Sequence, residues 1–366
     1  MRSRHYSNKG LHYPAPILGP IAALLLIVTA TQGGAQGFAG LGTMADGFAV
    51  PERGRALTFP QDHGAHPDYR IEWWYLTATL TGDDGQNYGV QWTLFRSALQ
   101  PGDKVGFSSP QIWMGHAGLT TPDSHFAAET FARGGTGQAG VTPDPFTAFI
   151  DDWHMTSRAD ANADPYDRLD VRATGQDFAF DLTAQATGPL VFHGDQGYSV
   201  KSFDGQASYY YSQPFYDISG TLHLPDGPVS VSGQGWLDRE WSSQPLSDDQ
   251  EGWDWFSLGF DDGHRMMGFQ LRGAQVFTAG TWITPDGTAT PLPPDALQFT
   301  PLGTEQVAGR DVPVRWRIDW PEGGVSVTTT PLNPQAWMDL SVSYWEGPLR
   351  FSGSHEGRGY LEMTGY

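Results

Sequence analysis

The densest group of titratable side chains in the chain is Trp236-Leu-Asp-Arg-Glu-Trp241. Read as a strand, its side chains alternate. Trp236, Asp238 and Glu240 then share one face, and Leu237, Arg239 and Trp241 share the other. Two residues of rise put Asp238 and Glu240 about 6.6 Å apart along the strand. Carboxyls that close, walled by an indole, raise each other's pKa through repulsion and lost hydration. A carboxylic acid kept protonated near neutral pH serves as a general acid. The same residues also fit an ion pair between Arg239 and a nearby carboxylate that locks two domains together. A weaker reading makes Asp238 and Glu240 a glycosidase pair, their spacing lying near the boundary between the two carboxylate separations such enzymes use.

Acids beside aromatics recur elsewhere. In Glu72-Trp73-Trp74-Tyr75, Glu72 and Trp74 share one face and Trp73 and Tyr75 the other. This is either a pocket wall with one polar handle or barrel core beside a surface acid. Asp254 lies on the opposite strand face from Trp253 and Trp255, and Tyr344-Trp345-Glu346 repeats the theme. Indole faces attract cations by about 0.5–2 kcal/mol. Acid hydration of an isolated double bond passes through a carbocation, so it needs a proton donor, an aromatic lining and a held water. The candidate acids are Asp238, Glu240 and Asp254, with Trp241 and Trp255 lining the cation. Glu72, Trp73, Trp74, Tyr75, Tyr210 and Arg239 complete the candidate binding set with Trp253, Trp345 and Glu346. Most of the 14 tryptophans must nonetheless be core.

Other chemistries have less support. No His-x-His or His-Glu-x-x-His is present, and His63 and His66, beside Asp62 and Asp68, read first as a solvated loop. His116, within an apolar run, reads as a core histidine. There is no Gly-x-Ser-x-Gly elbow, P-loop or dinucleotide fingerprint. No metal or cofactor is expected.

These residues must be positioned by strands. The chain has 366 residues, enough for two domains with full cores. Its 46 glycines and 27 prolines weigh against helices, and its aromatics favour an antiparallel β protein. Residues 71–80, the Asp83-Asp84-Gly85 turn and residues 88–96 read as a hairpin. Strand-like runs follow at 111–119, 146–157, 169–174, 178–186, 207–222, 229–237, 253–260, 265–271, 280–284, 314–318, 325–330, 341–345 and 359–364. Asp-Gly pairs at 226, 262 and 286 mark turns. This pattern predicts barrels or sandwiches. The expected organisation is a lead-in over 36–60, a domain over 61–225 and another over 226–366. The break at Leu224-Pro-Asp-Gly-Pro228 has the same appearance as a tight hairpin.

The N-terminus reads as a cleaved export signal over 1–35. It has basic Arg2, Arg4 and Lys9, an apolar stretch from Ile17 to Ala30, and Gly33 and Ala35 at cleavage-site spacing. The apolar run is short for a span, which needs about 20 residues. No stable membrane anchor is expected after cleavage, and the expected location is the periplasm or the medium. No cysteine is present, which excludes disulfides, a thiol nucleophile and a lipid-anchoring cysteine. Residues 36–366 carry a net charge of −23. Such a surface repels nucleic acid and suits a neutral, cationic or apolar ligand; the expected partner is an apolar small molecule.

Seven aromatic-rich blocks, in order, resemble the signatures of the AttH/carotenoid 1,2-hydratase family: Glu72–Tyr75, Gly115–Ala117, Ser208–Ser212, Trp236–Ser243, Gly252–Phe256, Tyr344–Gly347 and Gly359–Tyr366. The resemblance implies an all-β fold of two lipocalin-like antiparallel barrels packed together, with a pocket near their junction. It implies either a hydratase or hydrolase acting by acid catalysis on a lipid-like or isoprenoid substrate, or a carrier of an apolar ligand without chemistry. The chain looks like the "predicted secreted hydrolase" branch. Carotenoid hydratases have an Asp-His-Asn-Trp-like block whose Asp, His and Trp fall on Asp238, Arg239 and Trp241. Arginine stays protonated and cannot shuttle protons as histidine does.

Overall fold

The structure, a computed structural model, describes residues 46–244 and 246–366. The expected signal peptide therefore lies outside the described residues. The fold is all-β. Its described helical residues are two short 3-10 turns, Gln61–His63 and Gly106–Ser108.

Among the described residues, two large antiparallel sheets carry the chain, one a nearly closed barrel and the other a half-barrel. In the first, the Gln111–Thr120, Asn87–Ala98, Ile71–Gly82, Gly227–Ser242 and Ala207–Leu224 strands lie side by side in that order. In the second, the Arg265–Arg272, Gly252–Phe260, Gly357–Met363 and Tyr344–Gly353 strands do the same. Turns fall at the Asp-Gly pairs, and Gly85, at φ 79°, adopts the left-handed backbone that its hairpin needs.

The expected boundary at 225/226 needs correction. Pro225-Asp226 is a turn joining Ala207–Leu224 to Gly227–Ser242, and both strands belong to the first sheet. The chain passes from the first large sheet to the second between Ser242 and Gly252. Gly227–Ser242 pairs with Ile71–Gly82 on one side and with Ala207–Leu224 on the other, so it is a central strand that joins the two halves of the first sheet. The lead-in also ends earlier than expected. The Ser243 hydroxyl bonds the Ala49 carbonyl, the Glu52 N–H donates to Tyr209 at 2.7 Å, and Leu57 and Phe59 pack on the first core. The run at 146–157 is a hairpin turning at Asp151-Asp152, because two polar residues interrupt the apolar alternation. His125–Arg133 is an additional strand; its alanine and charged content gives little strand signal.

Three apolar clusters follow from this arrangement. One fills the first barrel around Trp74, Trp92 and Trp241, and one lies in the concavity of the second sheet around Trp316 and Trp345. The third lies between the sheets and includes Ile71, Tyr75, Tyr210, Trp236, Trp255 and Phe269. Gly235 to Ser242 is buried at every position, because one strand face belongs to the barrel core and the other to the layer between the sheets. The sheets approach closely at Gly89, where an added Cβ would lie 2.4 Å from Pro348.

Candidate functional site

Alternation on the central strands sorts the candidate residues into two environments. Trp73, Tyr75, Asp238, Glu240 and Tyr210 line a cleft between the sheets. Glu72, Trp74, Arg239 and Trp241 point the other way, into the first barrel. The second sheet contributes Trp253, Trp255, Phe269, Leu271, Tyr344 and Glu362 to the cleft. The cleft holds a cavity of about 110 Å³, and its wall is mainly apolar.

Asp238 sits at the centre of this wall, opposite Tyr75 on one neighbouring strand and Ser212 on the other. Its carboxylate accepts from Tyr210 at 2.7 Å, from the Trp236 indole N–H at 2.6 Å and from Ser212. Burial pushes this carboxyl up to about 7, against the pull of the three donors. Behind it, His193 Nε2 lies 2.6 Å from Ser212 and His193 Nδ1 lies 2.8 Å from Thr281 of the second sheet. Burial and the nearby Lys201 charge hold the His193 imidazole well below its ordinary pKa, so it is neutral.

Glu240 lies beside Lys201, with Nζ at 2.8 Å from Oε1, and accepts from Ser208. The expected ion pair of Arg239 with a carboxylate forms, but it does not join the domains. The cleft acid pairs with a lysine, while Arg239 pairs with Glu72 inside the first barrel. There Glu72 accepts from Arg96 and Arg239. Burial raises Glu72, but the two guanidiniums outweigh it and hold the carboxyl well below its ordinary value. Arg239 also lies over the Trp74 ring at 3.9 Å and donates to the Gly64 carbonyl at 2.5 Å. Glu72 and Arg239 are therefore a buried ionic cluster, away from the cleft.

Asp254 also faces away from the cleft. It accepts from Gln270 at 2.7 Å, Arg272 at 3.1 Å and the Tyr366 hydroxyl at 2.8 Å, which ties the C-terminus to the sheet. The second sheet instead offers Glu362, which the sequence reading did not single out. Glu362 is half-buried, lines the cleft and accepts from the Trp253 indole. Burial, with added repulsion from Asp238 and Glu240, pushes it up to about 7 against the Trp253 bond. The available signal was alternation: Tyr360 and Glu362 share a face, as Trp253 and Trp255 do. Trp345 points into the second core, its indole donating to Pro334 at 2.8 Å. Glu346, across from Glu362, accepts from Tyr75 and is raised well above its ordinary value by burial first and by Glu362 second.

The histidine loop is structural. Trp74 donates to the His63 carbonyl at 2.9 Å, His63 Nδ1 lies 2.7 Å from Tyr211, and His66 Nε2 lies 2.9 Å from Asp62. Among the described residues, no group of three or more His, Cys, Asp or Glu side chains is arranged to hold a metal. His116 is buried, with Nδ1 at 3.0 Å from Tyr344, and burial lowers its pKa to about 3. No described helix is long and apolar enough to cross a membrane.

Comparison with known proteins agrees with this architecture. The AttH-like family model matches residues 50–366. No curated protein matches. The crystal structure of a protein assigned as an AttH from Nitrosomonas europaea superposes with a TM-score of 0.78 at 34% identity, covering 87% of this chain and 99% of that one. Kievitone hydratase from Nectria haematococca gives 0.64 at 16%, over 87% and 98% of the two chains. CghA with Sch210972 gives 0.51 at 13%, over 88% and 97%. The last two likenesses show the fold alone. The match over residues 50–366 spans nearly all of the described chain, and this protein belongs to the AttH-like family.

Proposed function

We propose that this chain is a hydratase-like acid catalyst that adds water across a double bond of an apolar, lipid-like or isoprenoid substrate bound between the two sheets. The observation that carries this reading is the pairing of Asp238 and Glu362, both titrating near 7, in one indole-lined cleft. Near neutral pH a substantial fraction of each carries its proton. Asp238 transfers its proton to one alkene carbon, and the π pair forms the new C–H bond. The positive charge left on the other carbon faces the indoles of Trp73, Trp253 and Trp255. A water oxygen supplies the pair for the C–O bond, and its proton passes to a cleft carboxylate, Glu240 or Glu362. The reaction class proposed is the one named for kievitone hydratase, whose fold this chain shares. The basic and apolar character of residues 1–35 supports export to the periplasm or the medium.

A second reading, a carrier that binds an apolar ligand without chemistry, draws on the mainly apolar wall. Incubation of the chain with kievitone and with an acyclic isoprenoid alkene in ¹⁸O-labelled water separates the two. The catalytic reading expects a product heavier by one labelled water, lost in D238N. Retained ligand with no labelled product from either alkene supports the carrier and overturns the hydratase reading.

A further inference from the structure

The cleft wall has a direction. Across the first sheet it runs from Met114 through Phe95 to Trp73 and Tyr75, and then to Asp238 and Glu240 on the Gly227–Ser242 strand. Three interstrand steps of about 4.8 Å separate the apolar end from the acidic end, roughly 14 Å in all. Among the described residues, three carboxyls, Asp238, Glu240 and Glu362, and one cation, Lys201, line the acidic end. Lys201 is engaged by Glu240 and lies over the Tyr210 and Phe269 rings. Asp238 and Glu362 have only neutral hydrogen-bond donors and no ion-pair partner among the described residues. The indoles of Trp253 and Trp255 stand beside them.

We infer that this cleft is a binding site for amphiphilic organic cations. An ammonium head sits between the Trp253 and Trp255 indoles and the carboxyls of Asp238 and Glu362, and a hydrocarbon body of about eight carbons lies along Phe95 and Met114. Carboxylates supply the counter-charge, indole faces supply the cation–π attraction, and a desolvated site strengthens both. The inference rests on the same cleft as the hydratase reading but not on its chemistry. A standing ammonium occupies the place of the short-lived carbocation.

Binding must then respond to pH. The titratable groups facing the pair are Glu240, Lys201 and the hydroxyls of Tyr75, Tyr210 and Tyr344. Glu346 lies behind Tyr75, and His193 lies behind Ser212. The pair itself, Asp238 and Glu362, titrates near 7. A cation favours their charged forms, so its binding releases protons near pH 7 and tightens as pH rises from about 6 to about 8.

The test uses octyltrimethylammonium and its neutral isostere, with carbon in place of nitrogen, titrated into the full chain by tryptophan fluorescence. Calorimetry of the cation in two buffers of different ionisation enthalpy counts the protons released. The expected result is at least about tenfold tighter binding of the cation, proton release at neutral pH, and loss of the preference in E362Q and in D238N. E362Q, at a half-buried position, keeps the test open if D238N does not fold. Equal affinity for the isostere, no binding of the cation, or binding indifferent to pH and to both substitutions would overturn the inference. The labelled-water assay reports separately on the hydratase reading. Cation binding without turnover sinks only that reading, and turnover that the cation does not inhibit sinks only this one.

Discussion

Trp255 of the second sheet donates its indole N–H to the Tyr210 hydroxyl of the first at 3.0 Å, and that hydroxyl donates in turn to Asp238. One phenol thus joins the two sheets and orients the central acid of the cleft. Thr281, His193 and Ser212 form a second chain of hydrogen bonds from the second sheet to the same carboxyl. Asp238 is therefore held by both sheets, and its titration reports on how they are docked.

Replacing Tyr210 by Phe removes a donor that favours the charged form of Asp238 and leaves the Trp255 N–H without its acceptor. The Asp238 midpoint should move above about 7 and the protein should lose about 1–3 kcal/mol of stability. Carboxyl ¹³C NMR of labelled aspartate and urea denaturation measure the two effects. An unchanged midpoint would show that the Tyr210 bond does not tune the acid.

Asp238 also sets a pH dependence of stability. Its folded pKa is raised, so the folded state holds this proton more tightly than the unfolded chain does. The resulting stabilisation is complete below the unfolded pKa of about 3.9 and is lost as pH rises through about 7. D238N lacks this titration. Its stability relative to the native chain should improve between pH 5 and pH 8 by up to about 2.5 kcal/mol. Unfolding curves at the two pH values test this, and a constant difference would contradict it.

Glu72 behaves in the opposite sense. Arg96 and Arg239 depress its pKa, so its contribution is present above the unfolded value of about 4.3 and is lost as pH falls toward the depressed folded value. R239M leaves a buried pair broken and should cost about 3–5 kcal/mol. Its effect on ligand affinity in the cleft should be small, because the Arg239 side chain lies on the other face of the strand. Denaturation and a binding titration of one sample give both numbers.

Asp254 and Glu362 of the second sheet should separate in the same way. D254N weakens the bonds to Arg272, Gln270 and Tyr366 and should lower stability by about 1–3 kcal/mol with little effect on turnover. E362Q should lower turnover by about tenfold or more with little change in stability, because it removes a titrating group facing the ligand. Paired activity and thermal-unfolding measurements decide the assignment; the reverse pattern would exchange the two roles.

Sequence alone determined the β architecture and the strand faces. Turn residues at Asp-Gly pairs and side-chain alternation are local, and they placed Trp236, Asp238 and Glu240 opposite Leu237, Arg239 and Trp241. What alternation leaves open is which face meets which partner. That is why Asp254, Trp345 and Glu72 were gathered with the cleft residues although the sheets turn them into cores and ion pairs. Lys201 and Glu362 are far from the Asp238 segment in the chain, so no spacing connects them to it. The domain boundary was ambiguous for a related reason, since a turn and a linker share the residues Pro-Asp-Gly. Only packing of the second sheet against the first decided which carboxyls lose their water, and burial without a compensating cation is what brings Asp238 and Glu362 to titrate near neutrality.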